Sequence, residues 1–445
     1  MSTAFEPFEP FKIEQRGVDA VPRAERTRNW WDLFVIQAGI NITLPSFLIG
    51  ALLVPALSWA QAVAALVLGN VVVGILMVLT GHLGVDHGIP TTVASRFSLG
   101  YPRGMWLSSM CVLVSLVGWF AVTAELAGLA VDHVLKEVFG WSSPRLVIVL
   151  MALSNSLPAV AGFASIRWLS ALAVPGLLAL SAWLLGVIVT RYGYAALVSY
   201  APAGGVAFTT AIDWVIGGFI VGVFTAPDVS RYVRARWHNW VGGLAGVVPA
   251  SVLLGLIGAL AKLATGDWNA VNAVETLGLG IPALLIVVFA TWTTNDVNLY
   301  SSGLALTNLR PSWGRWRNTL VLSLLGTTLA ALRISNHFEK FLTLLSYAFS
   351  PLVGVLLTDY YFVRRGRLDV EEAYQERGRY SYLRGVNETA VLAVVAGILA
   401  GVLTPSRFVG SLISLGLAGA LYYAAMRLRH PEHFPATIAV QADRG

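Results

Sequence analysis

The sequence predicts an all-α polytopic membrane protein with about twelve transmembrane helices. Of its 445 residues, 56% are hydrophobic and only 12% are charged, and the mean hydropathy is +0.70. A soluble domain contains about a quarter charged residues. Runs of about 20 predominantly apolar residues, the length that crosses a bilayer, recur along the chain. The first 29 residues contain no apolar core, so we expect no cleaved signal peptide.

The apolar runs, with Gly, Pro and charged residues at the breaks, define the predicted organisation. The predicted spans are 30–57, 59–84, 104–133, 144–162, 166–190, 211–230, 239–263, 281–307, 318–333, 337–361, 388–405 and 407–427. The predicted units are an N-terminal tail (1–29), a first set of five helices (30–190), a second set of five (211–361), a loop (362–387), two further helices (388–427) and a C-terminal tail (428–445).

The distribution of basic residues predicts the orientation. An even number of spans places both termini on one side, and 23 of the 30 Lys and Arg residues fall in segments on that side, against 7 opposite. This bias predicts cytoplasmic termini in a cell (inner) membrane. It also accounts for the net charge of +6, so no nucleic-acid partner is expected. The basic loop 362–380 is either a solvated cytoplasmic loop or a contact with anionic lipid.

Two apolar spans are interrupted by glycine, proline and polar residues. They are "VIQAGINITLPSFLIG" (35–50) in the first span and "IGGFIVGVFTAPDVSRY" (216–232) in the sixth. Five spans separate them, which inverts the second unit relative to the first. This pattern predicts a five-plus-five inverted-repeat transporter with its site at the midplane, where broken helices expose backbone groups. The alternative is an ordinary kink in each helix.

The polar stretch "ATWTTNDVNLY" (290–300) lies between apolar flanks, where each polar group is costly in lipid. It therefore predicts a functional site inside the membrane. An enzyme is not expected, because His82 and His87 lack the i, i+4 spacing of a helical metal site and no nucleophile or phosphate-binding motif lies in a suitable context. A channel would need continuous polar faces on several helices, and the sequence shows none.

Four motifs resemble the nucleobase:cation symporter-1 family, most of all its cytosine permease branch. They are "LVGWFAV" (116–122), "GGFIVGVFTAPDVSRYVR" (217–234), "WTTNDVNLYSSGL" (292–304) and "GIPTTVASRFSLG" (88–100), and the similarity runs from about residue 28 to 425. The resemblance implies a leucine-transporter fold of ten core helices plus two peripheral ones. It also implies symport of a nucleobase with a cation, commonly sodium. The alternatives are a permease for hydantoin, allantoin or hydroxymethylpyrimidine, or a sodium-coupled amino-acid transporter of the same fold.

The resemblance implies the first two of five candidate substrate-binding residues, and the chemistry and position of the other three suggest them. Trp119 and Phe219 match two aromatic plates on either side of a flat heterocycle, and such stacking contributes about 1–3 kcal/mol per base. Asn295 offers a donor and an acceptor for an amide or amidine edge, or else bonds between helices. Thr123 shares a helix face with Trp119 and reaches the substrate or its own helix carbonyl. Thr43 is a further polar candidate.

The sodium ligands are implied in the same way. Thr293 and Thr294 match two hydroxyl ligands, and Ala290, Ala38 and Ile42 would add backbone carbonyls. Hard oxygen donors from an unwound helix suit a monovalent cation. Ala290 departs from the cytosine permease, which has an amide side chain there. We expect no other cofactor, and the expected partners are the nucleobase, the cation and the bilayer, without an obligate protein partner.

Other charged residues lie near these motifs. We expect Asp296 to be a structural partner within the helix bundle, and Asp228 and Arg231 to form an ion pair at the cytoplasmic end. Glu125 lies in an apolar run, on a different helix face from Trp119. It is either a proton relay or half of an internal ion pair.

Overall fold

The computed structural model describes residues 19–161, 163–278, 280–310 and 312–434, and helices form most of these segments. The helices are α1 (Trp30–Asn41), α2 (Leu44–Leu53), α3 (Trp59–His87), α4 (Thr91–Leu99), α5 (Met105–Phe139), α6 (Pro144–Ala161), α7 (Phe163–Tyr192), α8 (Tyr194–Val198), α9 (Phe208–Ser230), α10 (Arg236–Thr265), α11 (Ala270–Thr276), α12 (Gly280–Leu309), α13 (Arg315–Ala331), α14 (Phe338–Thr358), α15 (Glu388–Leu403) and α16 (Gly410–Arg429).

Several of these helices are long and apolar enough to cross a bilayer. By length and composition, six stretches of the described chain qualify, and the bent pair α1 and α2 makes a seventh. The six are α3, α5, α9, α10, the stretch Ile334–Val363 that contains α14, and α16. Each predicted span overlaps a helix, whereas the number of twelve crossings stays a prediction. Most of the predicted N-terminal tail and the end of the C-terminal tail lie outside the described residues.

The break predicted in the first span is confirmed between α1 and α2, whose axes are bent by 56°. Ile42 donates its N–H to the Ala38 carbonyl at 2.7 Å where the helix ends, and Thr43 is extended with φ −141°. The Asn41 carbonyl accepts the Ser46 hydroxyl at 2.6 Å. A side-chain donor therefore satisfies backbone that an apolar environment would otherwise penalise.

The predicted interruption of the sixth span is wrong, because α9 is one continuous helix with Pro227 near its end. Its glycines serve close packing instead. A Cβ at Gly217 would overlap the carbonyl oxygen of Leu342 on α14, and one at Gly218 would overlap the side chain of Ile49 on α2. A glycine pair in an apolar run thus marks a helix contact here, not an unwound segment.

Nine of the helices named above pack into two groups. In the first group, α1, α2 and α3 contact α10, and α3 also packs along α9; we call these five helices the bundle. In the second, α5 packs along α12, and α6 and α13 complete the group; we call these four helices the scaffold. The scaffold has its own apolar core, which includes Phe120, Ile148, Leu299 and Leu322. α14 joins the bundle to α15 and α16.

A buried corner around Arg364, just after α14, ties distant segments together. The Arg364 guanidinium donates to Asp359 at 2.7 Å and to the Phe97 carbonyl at 2.8 Å. The Tyr422 hydroxyl donates to the same carboxylate at 2.7 Å. The Nδ1 atom of buried His433 lies 3.2 Å from Arg364 and must accept, because a guanidinium only donates. We call this set the Arg364 corner.

Candidate substrate and cation site

Trp119 lies midway along α5 and is only 5% exposed. Its ring meets two phenylalanines at the start of α14 edge to face, with centroids 5.8 Å from Phe338 and 5.3 Å from Phe341. Gly118 leaves room for this contact, since a Cβ there would lie 2.7 Å from the Phe341 ring. Edge-to-face packing of this kind fixes the orientation of the Trp119 ring.

Phe219 lies on α9, half-buried against the main apolar core. The ring contacts found for Trp119 in the described chain are those with Phe338 and Phe341, and they do not include Phe219. The role of Phe219 as an opposing plate stays a prediction. Sequence reasoning missed the two phenylalanines because nothing local shows that such a distant segment folds onto Trp119.

Thr123 and Asn295 meet where α5 packs along α12. The Thr123 hydroxyl donates to the Asn295 Oδ1 atom, and it lies 2.7 Å from the Trp119 carbonyl oxygen. Thr123 therefore contacts both its own helix and Asn295. Asn295 is fully buried, and its Nδ2 atom has no hydrogen-bond partner in the chain as described. This Nδ2 atom keeps the capacity to donate a hydrogen bond.

Thr43 lies in the break between α1 and α2. It lines a small apolar cavity of about 30 Å³ between α2, α7 and α10, with Leu180, Ser181 and Leu254 among its neighbours. The lining of this cavity does not include Trp119. A substrate contact by Thr43 stays a prediction.

The predicted sodium ligands come from both helix groups. Ala38 and Ile42 lie at the end of α1 and pack against α10 of the bundle. Ala290, Thr293 and Thr294 belong to α12 of the scaffold, and α12 contacts α2. The side chains of Ala290 and Thr293 lie outside the described residues. The predicted donors are hydroxyl and carbonyl oxygens, which would suit a hard monovalent cation, and the sodium site stays a prediction.

Glu125 is buried, and its hydrogen-bond partner is a serine. Its carboxylate accepts the Ser335 N–H at 3.1 Å and the Ser335 hydroxyl at 2.7 Å. No ion pair of Glu125 is found among the residues that the structure describes. The expected internal ion pair is therefore replaced by two hydrogen bonds, and the proton relay stays a prediction.

Asp296 and Asp228 are the other two acidic residues for which the sequence predicts a partner. Asp296 is fully buried, yet neither carboxylate oxygen has a hydrogen-bond partner within the described ranges, so its expected structural partner is not found there. Asp228 accepts the Thr91 N–H at 2.7 Å at the start of α4. The ion pair of Asp228 with Arg231 stays a prediction.

A cavity of about 20 Å³ lies between bundle and scaffold, where α9 faces α5 and α12. That volume suffices for a water molecule. Its polar lining consists of Thr91, Thr92, Ser108, Ser109, Thr225, Asp228 and Ser301. These side chains are dispersed in the sequence, and only the packing of the two helix groups brings them together.

A bundle with a broken first helix, packed on a separate scaffold with polar side chains between them, is the arrangement expected of a membrane transporter. A family model for permeases for cytosine/purines, uracil, thiamine and allantoin matches residues 20–424. The chain belongs to this permease family, the nucleobase-cation-symport-1 family, as the motifs predicted.

Relatives and solved structures agree with this assignment. The chain is 29% identical to the hydantoin permease of Microbacterium maritypicum, covering 91% of this chain and 87% of the relative. It is 30% identical to the cytosine permease of Escherichia coli K12, covering 88% and 89%. The inward-facing structure of Mhp1 matches with a TM-score of 0.87 at 25% identity, covering 95% of this chain and 96% of Mhp1.

A second structure of Mhp1 gives a similar result. Its closed conformation with bromovinylhydantoin bound matches with a TM-score of 0.84 at 26% identity, covering 94% of this chain and 96% of Mhp1. Both matches extend over almost the whole of each chain. They confirm the predicted all-helical, leucine-transporter-like fold.

Proposed function

We propose that this protein is a secondary active symporter that imports a nucleobase of the cytosine or purine type together with a sodium ion. The observation that carries the proposal is the contact between Thr123 and Asn295 one helical turn from Trp119. It combines an aromatic ring with a buried amide whose Nδ2 donor has no partner in the described chain. A planar heterocycle has π-faces and polar edges, and it matches both groups.

Sodium is favoured as the coupling ion by the chemistry of its proposed ligands. The carbonyls of Ala38, Ile42 and Ala290, with the hydroxyls of Thr293 and Thr294, offer hard neutral oxygens, which suit a monovalent cation. The first two residues belong to the bundle and the other three to the scaffold. A cation held by both groups favours the arrangement in which they approach each other, and this links ion binding to alternating access.

The transport movement is proposed as rocking of the bundle against the scaffold. Each group has internal packing of its own, and the cavity lined by α5, α9 and α12 lies at the boundary between them. The hydroxyl groups that line it would hydrogen-bond to a polar solute on its way to the side of the chain termini. By the count of basic residues, we place that side in the cytoplasm and the protein in the cell (inner) membrane.

A second candidate substrate class is a small heterocycle such as hydantoin or allantoin. It is favoured by the likeness to a hydantoin permease and to Mhp1 with bromovinylhydantoin bound. An aromatic ring and one amide suit a hydantoin as well as a nucleobase. A sodium-coupled amino-acid transporter is disfavoured, because an aromatic face and an uncharged amide suit a flat ring better than a zwitterion.

A thermal-shift screen tests the proposal. Purified protein is heated with each of a panel of nucleobases, hydantoins, allantoin and amino acids, in sodium or in choline. A ligand that binds the folded state raises the melting temperature by mass action. We expect stabilisation by a nucleobase that is larger in sodium. Stabilisation by hydantoins alone would select the second class, and stabilisation by amino acids alone would refute both.

A further inference from the structure

Glu125 forms a long-range link that the proposed transport cycle does not yet use. Both of its carboxylate oxygens accept from Ser335, one from the backbone N–H at 3.1 Å and one from the hydroxyl at 2.7 Å. Both residues are buried, with exposures of 1% and 4%. A carboxylate only accepts, so it satisfies two donors of one residue without conflict.

Ser335 lies in the tight turn that leads into α14. The turn is a 3-10 segment, Ile334–His337, preceded by Arg333 in the left-handed region with φ 58°. Phe338 follows at once as the first residue of α14. Hydrogen bonds within a short 3-10 turn have poor geometry, so an external anchor helps to determine where the next helix begins.

The start of α14 covers Trp119. Phe338 and Phe341, which we call the aromatic cover, both pack edge to face on its ring, and Trp268 stacks on Phe338 with planes 10° apart. Gly118 receives the Phe341 ring, in a space that a Cβ would fill. The position of one turn therefore decides how the aromatic cover lies on Trp119.

One helix carries both the covered ring and the anchor of the cover. Glu125 is six residues beyond Trp119 on α5, about 9 Å along the axis. We propose that Glu125 is a positioning residue for the substrate site: its carboxylate fixes the turn before α14 and thereby seats the aromatic cover over Trp119. This inference rests on the proposed function, in which the substrate stacks on Trp119.

The first experiment needs no substrate. Hydrogen exchange of residues 333–341 is compared between wild type and Glu125→Gln, whose amide keeps one acceptor but places a donor against a Ser335 donor. We expect exchange in this segment to be about tenfold faster in the variant, because one acceptor of Ser335 is replaced by a donor and its hydrogen bond is lost. Unchanged exchange would overturn the anchoring role, whatever the substrate is.

The chain offers a matched control on the same helix. Asp132 is buried, seven residues beyond Glu125, and accepts the Ser142 hydroxyl at 2.8 Å and the Ser143 N–H at 2.7 Å. Asp132→Asn therefore makes the same carboxyl-to-amide change in the same kind of anchor, at the turn before α6. We expect it to leave exchange of 333–341 unchanged. A rise there in both variants would mean general loosening of α5 and would refute the proposal.

The second experiment is a double-mutant cycle on the binding of cytosine and of hydantoin. Glu125→Gln should weaken binding about tenfold in the wild-type background and less than about twofold in Phe341→Ala, because the acid acts through the cover. If the fold-changes of the two substitutions instead multiply, the two residues act independently and the proposal is overturned. If neither probe binds the wild type, cytosine and hydantoin are excluded as substrates, and the exchange experiment still decides the role of Glu125.

Discussion

At the scale of single residues, the proposed site depends most on Trp119, whose ring is buried and held by the aromatic cover. Trp119→Ala should abolish measurable uptake, because the loss of stacking costs about 1–3 kcal/mol and the cover loses the ring on which it packs. The protein should remain inserted, since α5 keeps its apolar length. Radiolabelled uptake measures the effect, with surface expression as the control. Uptake within about twofold of wild type would show that Trp119 is not part of the substrate site.

The amide of Asn295 should control which heterocycles bind. Asn295→Asp keeps the size and the acceptor that Thr123 contacts, but it removes the Nδ2 donor that has no partner in the described chain. We therefore expect a changed ranking of competing bases, with the greatest loss for ligands that need a donor at that edge. Competition against a labelled substrate measures the ranking. A uniform loss for all ligands would make Asn295 structural.

At the scale of elements, the sequence predicts those features that a short segment determines by itself. The break after Asn41 is predictable because polar residues and a proline fall together in an apolar run. The continuity of α9 is not predictable in this way. Glycine in an apolar run permits either unwinding or close packing, and only the contact with Leu342 on another helix shows that close packing applies here. The link from Glu125 to Ser335 spans 210 residues, so no local pattern could indicate it.

The contact between α5 and α14 should be sensitive to one methyl group. Gly118→Ala would place a Cβ 2.7 Å from the Phe341 ring, so the ring must move away from Trp119. Overpacking of this kind costs about 1–3 kcal/mol, and we expect a lower melting temperature together with weaker substrate binding. Gly416→Ala on α16 is the control, because a Cβ there meets nothing within 4 Å. Equal effects of the two substitutions would contradict the packing argument.

The Arg364 corner, which links the segments after α14 and α16, should make stability depend on pH. Burial, then the nearby Arg364 and Arg379 guanidinium groups, lower the pKa of His433 from 6.5 to about 3. Between these values the unfolded chain binds a proton that the folded chain does not, so stability falls as pH falls below 6.5. Near pH 5 this single group costs about 2 kcal/mol.

Thermal unfolding at a series of pH values from about 7 to about 5 tests this account of the corner. His433→Gln removes the titrating group, so its melting temperature should decrease less over this range than that of wild type. Parallel curves for the two proteins would contradict the role of His433.

At the scale of the whole molecule, the proposed cation would affect how bundle and scaffold are arranged, because its proposed ligands belong to both groups. By linkage, sodium and substrate must strengthen each other's binding by the same factor, typically about 5–150-fold. The two hydroxyls of Thr293 and Thr294 are then required for the mutual effect, and the carboxylate of Glu125 is not.

Substrate affinity measured near pH 6 and near pH 8, each in sodium and in choline, tests this coupling. We expect tighter binding in sodium at both values, loss of the sodium effect in the double variant Thr293→Ala and Thr294→Ala, and its persistence in Glu125→Gln. Affinity that follows pH, ignores sodium and is lost in Glu125→Gln would instead make the protein a proton symporter.

The Arg364 corner also has a consequence for biosynthesis. When the ribosome has made α14 and the residues just after it, Arg364 can already pair with Asp359 and the Phe97 carbonyl, but Tyr422 and His433 have not yet been synthesised. The corner is therefore completed only after α15 and α16 have left the ribosome. A nascent chain that stops before Tyr422 lacks the hydrogen bonds that Tyr422 and His433 make to the buried Asp359–Arg364 ion pair. We expect such a truncated chain to be degraded faster than the full-length protein.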